Sequence, residues 1–150
     1  MKEILQNIQN RLSTITEIRY IDEDWGQIDY YSANMPVQWP CCLIDIQSGN
    51  FSNLSKDFSK SPKNRQKAEF SVKITLANMK LTNTSYLAPQ EQKEQVWVIF
   101  ELIEKIHQKL HGFSPHKNCS KMLRTTFGRT QRDDGLQEYN IIYSFEVHNI

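Results

Sequence analysis

The sequence predicts an α+β fold in two layers, an antiparallel sheet of about four or five strands with two principal helices packed on it. Three observations carry this expectation. Helical spacing of apolar residues occurs twice, at Ile4, Leu5, Ile8, Leu12 and Ile15 and again from Val96 to Leu110. Strict alternation fills Lys67–Ala77, with Ala68, Phe70, Val72, Ile74 and Leu76 on one side. The last third then reads as helix, basic segment, polar turn and a clean alternating strand.

The elements follow in order. After the first helix, Glu17–Ile21 reads as a short strand ending in the acidic, turn-rich stretch Asp22–Glu23–Asp24–Trp25–Gly26–Gln27. Trp25 is expected as a lid on the core, with an exposed anchor as the alternative. Tyr30 and Tyr31 precede Pro36 and Pro40, and Pro40 suits the first position of an apolar strand, Cys41–Ile46, where a missing N–H costs least. Residues 47–66 are rich in Ser, Asn and Lys, with Gly49 and Pro62 as breakers, and are expected to form a long polar loop. The alternating strand comes next, with its buried face on the Phe70 side.

A second loop spans Asn78–Gln90, and Pro89 marks the start of the second helix. That helix presents Val96, Ile99, Phe100, Ile103, Ile106 and Leu110 to the core and stops at Gly112. A strand near 121–129 and the turn Asp133–Asp134–Gly135 lead into Tyr139–Val147, where Tyr139, Ile141, Tyr143, Phe145 and Val147 should point inward. The opposite row, Ile142, Ser144, Glu146 and His148, would leave the other sheet face free for a second surface.

Bulk properties narrow the classes. At 150 residues the chain is expected to be one domain, 1–150, able to bury roughly two-thirds of its unfolded surface. No apolar run approaches the ~20 residues that span a bilayer, and the N-terminal residues lack a secretory-signal pattern, so a cytoplasmic origin is expected. Eighteen Lys and Arg against seventeen Asp and Glu give a net charge of +1, which provides no global steering toward nucleic acid or lipid. Cys41, Cys42 and Cys119 form no framework and are expected as free, largely buried thiols.

Candidate chemistry is sparse. His107 and His111 are four apart on a helix, with His116 and Cys119 in the following loop, a conceivable zinc set without a close ligand pair. Asp22, Glu23 and Asp24 could share a divalent ion with Asp133 and Asp134 if the two turns met, but acids are expected in turns for structural reasons. Hydrolase, phosphate-loop and dinucleotide signatures are missing, so no catalytic residue, cofactor or metal is expected. Basic residues cluster at 117–132 (Lys117, Lys121, Arg124, Arg129 and Arg132) and at 56–67 (Lys56, Lys60, Lys63, Arg65 and Lys67). They support an alternative as a small nucleic-acid-binding protein, though Leu123, Thr125 and Phe127 would share one strand face and make Phe127 core or interface rather than a stacking platform.

The succession Leu110–His111–Gly112–Phe113, Leu123–Arg124 and Tyr139–Val147, following Trp39–Ile46 and the strand at 67–77, resembles the tail terminator or tail completion proteins of long-tailed bacteriophages and their prophage relatives. The likeness is one of layout over most of residues 3–149. It implies a non-enzymatic virion subunit that forms a homo-oligomeric ring, often a hexamer, capping the tail tube and joining it to the head. It also implies a tail tube protein and a head–tail connector protein as partners, and localisation in the virion tail, with assembly in the host cytoplasm. On that layout the 47–66 segment, with Lys56, Lys60, Lys63 and Arg65, looks like a projection toward the lumen or a neighbour. Arg124 and Arg129 would serve intersubunit ion pairs or lumen charge, with Glu146 as a partner and Ile142 as an intersubunit contact. A different head–tail connector subunit is the nearest variant of this reading.

Overall fold

A computed structural model of the chain describes residues 1–29 and 36–149, so Tyr30 and Tyr31 lie outside the described residues. The elements run α1 (Lys2–Leu12), β1 (Tyr20–Glu23), a 3-10 turn at Gln27–Asp29, β2 (Cys41–Lys56), β3 (Asn64–Met79), α2 (Gln90–Leu110), β4 (Leu123–Thr130) and β5 (Leu136–His148). The strands form one five-stranded sheet in the order β1-β2-β3-β5-β4. This is the expected α+β architecture with two helices. Four strands are antiparallel to their neighbours, while β1 joins β2 in parallel, making the sheet mixed. A parallel pair needs a crossover of a dozen or more residues, which the 24–40 connection supplies.

One core lies between the helices and the sheet. Ile4, Ile8 and Leu12 of α1, with Ile15 and Ile18 just after it, meet Ile99, Leu102, Ile106 and Leu110 of α2 above Ile44, Val72, Ile74, Ile141 and Tyr143. The inward row of β5, Tyr139 to Val147, is buried as its alternation predicts. Pro89 stands at the N-cap of α2, and the chain leaves its C-terminus through Gly112 at φ +80°, a left-handed conformation that glycine adopts without a Cβ clash. The cysteines are free, with Cys41 and Cys42 buried and Cys119 half-buried. Burial pushes the Cys41 thiol up to about 12, so it stays protonated at neutral pH.

The other sheet face is less open than expected. Ile28, Cys41, Leu43 and Ala77 form a second small core, closed by Tyr20, Val37 and Trp39. The crossover therefore covers one end of that face. Trp25 is no lid: it is 56% exposed, with its indole N–H 3.4 Å from Asp22 Oδ2. The local turn explains this, since Asp24 Oδ1 accepts the Gly26 N–H and Gln27 Oε1 accepts the Trp25 N–H, which aims the ring outward.

The largest departure from expectation concerns residues 47–66. They are not a loop. Strands β2 and β3 stay paired from Cys41↔Ala77 to Lys56↔Asn64, with bulges between Ile46 and Ser48 and between Asn53 and Lys56. Only the segment 57–63 turns, nucleated by Asp57, whose Oδ1 accepts from the N–H (2.9 Å) and hydroxyl (2.6 Å) of Ser59. Polar composition misleads here because the ladder is held by backbone hydrogen bonds and only its base carries buried side chains. At that base Gly49 faces the Phe70 ring, and a Cβ there would sit 2.5 Å from Cε1. Gly49→Ala is therefore expected to destabilise the protein by about 1–3 kcal/mol, through overpacking. A denaturation midpoint equal to wild type would show that the ring rotates away freely.

Candidate assembly surface

Because β5 ends its pairing at Lys67↔His148, residues 53–66 extend past it as a two-stranded arm. Four strand residues at about 3.3 Å each, plus the turn, carry the tip some 15–20 Å beyond the sheet. Lys56, Lys60 and Lys63 are exposed at or near this tip, and the Lys63 ammonium lies 5.6 Å over the Phe58 ring. Arg65 is half-buried and works locally, donating to the carbonyls of Pro62 and Asn149 and tying the arm to the residue that follows β5. Leu54 and Phe58 are exposed along the same arm, and Phe51 is exposed at its base. An isolated two-stranded hairpin is marginal in water, so exposed rings on one mark a surface suited to a partner.

The second exposed strand is β4, which ends the sheet. Its register with β5 shifts between Arg124 and Thr126, so Thr125 is an extra residue that inverts the alternation. Leu123, opposite Ser144, lies on the outer face, whereas Arg124, Phe127 and Arg129, opposite Tyr143, Ile141 and Tyr139, lie on the helix face. The expectation that Leu123, Thr125 and Phe127 share a face fails for this reason. Phe127 stacks on Tyr139 at 5.6 Å, and Phe100 meets the same tyrosine edge-on at 5.4 Å. The helices stop short of β4, leaving a groove of about 400 Å³ lined by Ile103, Arg124, Thr125, Thr126 and Phe127. Among the described residues neither Arg124 nor Arg129 has an ion-pair partner.

Ile142 is half-buried on the outer face between Lys73 and Thr126. Glu146 sits on the same face beside Glu69, with His148 Nε2 at 3.4 Å. Within one chain Glu146 and Arg124 therefore occupy opposite faces. The two basic segments are also held apart, since β5 and β3 lie between β4 and β2.

His111 and His116 are otherwise engaged, and His107 Nδ1 is buried without a hydrogen-bond partner among the described residues. His107 and His111 stack at 4.6 Å, and His111 Nδ1 accepts the Arg124 N–H at 3.2 Å. His116 pairs with Glu3 at 3.0 Å. Burial, with Arg124 and His111 nearby, lowers the His107 pKa and so favours the neutral ring. Among the described residues no group of three or more His, Cys, Asp or Glu is placed to hold a metal ion. No described helix is long and apolar enough to cross a membrane.

Sequence reasoning missed the role of Arg132. Its side chain is 8% exposed, and its guanidinium grips Asp134 (2.5 Å) and Asp29 (2.7 Å), donates to the Ile28 carbonyl (3.0 Å) and lies 3.6 Å from Glu138. It clamps the crossover onto the β4–β5 hairpin. Arg132 holds the Asp134 carboxyl down to about 2, while burial raises the Glu138 carboxyl. The available signal was the Arg-x-Asp spacing within a Gly-containing turn, where the two side chains reach each other.

This arrangement defines an α+β protein whose open sheet presents a projecting arm at one side and a basic edge strand at the other. No protein-family model and no curated protein matches the chain. Among solved structures it shares its fold with a chain of the "Virion of native gene transfer agent (GTA) particle", at a TM-score of 0.55 and 6% sequence identity. The likeness covers 97% of this chain and 94% of that one.

Proposed function

We propose that this chain is a non-enzymatic structural subunit of a phage-like particle, one that forms a ring terminating the tail tube and joining it to the head. The supporting observation is the fold shared from end to end with a virion chain, which leaves no substantial part of either chain unmatched. The exposed arm and edge strand agree with it, because ring subunits hold neighbours through projecting segments. The tail tube and a head–tail connector are the expected partners in this reading.

The test is genetic and visual. Removing the gene from a particle-producing strain should yield heads and tails that fail to join, seen by negative-stain microscopy, and restoring it in trans should rejoin them. Normal joined particles without this protein would overturn the reading.

A further inference from the structure

We propose that β4 of one copy adds, antiparallel and head to tail, to the edge of β2 beyond Ile44 in a second copy. This deepens the ring reading above by naming the strands that meet. Two unpaired edges on the same chain motivate it. Strand β1 pairs with β2 only from Cys41 to Ile44, so β2 from Asp45 to Lys56 has no neighbour on that side among the described residues. At the opposite border β4 pairs with β5 alone. An open edge is a template for another strand.

Strand polarity permits the addition without inverting the second copy. Directions alternate from β2 through β3 and β5 to β4, so a β4 placed against the next β2 continues the antiparallel series. A contact between two different edges is heterologous and closes into a ring when the rotation allows. The position along β2 is also constrained. In its own sheet Thr130 is level with Cys41, through Glu138 and Ala77. That level of the next β2 is already taken by β1. The incoming β4 must therefore sit about four residues further along, a stagger of roughly 13 Å, which sets Thr126 against Asn50. His111 already caps the Arg124 N–H, so the pairing strip is the part of β4 past the bulge.

Charge complementarity selects a second copy as the occupant. Where β1 ends, Asp24 and Asp45 share Lys73, at 3.5 Å from each, and Asp22 and Glu23 precede Asp24 in the chain. Glu23 is exposed, lies on the helix face of the sheet and has no ion pair among the described residues. The segment 117–132 contains five basic residues and no acid, and its Arg129 also lies on the helix face. In the staggered pairing Arg129 comes down beside Glu23, and Phe127 comes beside the exposed Phe51. Arg19, the cation of β1, precedes the strand at its far end.

The experiment uses the full chain with Cys119→Ser as background. Copies carrying Thr126→Cys are mixed with copies carrying Asn50→Cys, Ser48→Cys or Ser52→Cys, all exposed sites, and oxidised gently; mass is followed by light scattering. The expected result is a disulfide-linked dimer in the mixture, strongest with Asn50→Cys. Arg129→Glu should lower its yield about tenfold and Glu23→Arg in the partner should restore it, since like charge at an interface is strongly disfavoured. An oligomer that gives no cross-link with any of the three β2 sites would overturn the strand pairing and leave the ring reading standing. A monomer at every concentration, without cross-links, overturns the pairing as well, and the ring reading then stands or falls on the particle phenotype.

Discussion

Arg132→Ala is expected to lower the unfolding free energy by about 3 kcal/mol, the scale seen when one partner of a buried charge network is removed. Three carboxylates, Asp29, Asp134 and Glu138, converge on this guanidinium, and Asp134 and Glu138 are nearly covered. Without it Asp134 and Glu138 lose the cation that bridges them, and the Ile28 carbonyl loses its donor. Arg132→Lys should recover only part of the loss, because an ammonium cannot reproduce the fork that spans Asp134 and Asp29. Urea denaturation followed by circular dichroism measures both; a loss under about 1 kcal/mol for the alanine variant would show that the clamp is dispensable.

The same network sets an acid dependence of defined sign. Asp134 titrates near 2 when folded and near 3.9 when unfolded, so its contribution is complete above about pH 4 and disappears as the pH falls toward 2. Glu138 has the opposite sign, since burial raises its folded value: its contribution is present below its unfolded pKa and is lost as the pH rises through the folded one. In Arg132→Ala the acid-side loss from Asp134 should shrink to the part that the Leu136 N–H still supports. Persistence of the wild-type profile in that variant would separate the acid dependence from this clamp.

Phe70→Ala is expected to cost about 3–4 kcal/mol, as for other buried phenylalanines. The ring is the middle of a three-ring stack, edge-on to Phe51 at 5.8 Å and stacked on Phe145 at 6.0 Å, and it joins the arm's base to the last strand. Because Gly49 leaves space for this ring, the penalty of Gly49→Ala should largely disappear in the Phe70→Ala background. A double-mutant cycle measures that coupling. Amide exchange across 53–66 should also accelerate in Phe70→Ala, and unchanged protection there would mean that the arm is held by its ladder alone.

The helices and the inward rows of β3 and β5 were legible in the sequence because each obeys a single period and buries one face. Cys41–Ile46 was legible as a strand because its residues are mostly apolar. The 47–66 segment was not legible. Its partner is its own mirror across a turn, so its strand character comes from backbone pairing and leaves no hydrophobic alternation to read. The parity of β4 was hidden for a different reason: one extra residue at Thr125 puts Arg124 on the same face as Phe127 and Arg129, and no residue type announces a bulge there.

Composition and periodicity by themselves determined that this protein is an α+β domain with two helices on a sheet, closing on the alternating strand Tyr139–Val147. Only the tertiary structure decided that β1 enters in parallel, that Arg132 locks the crossover, and that two sheet edges stay open. Among the described residues those edges are unpaired, and the physical reason is common to all three. Each depends on which backbone lies beside which, and a strand's own sequence records the face it buries far better than the neighbour it keeps.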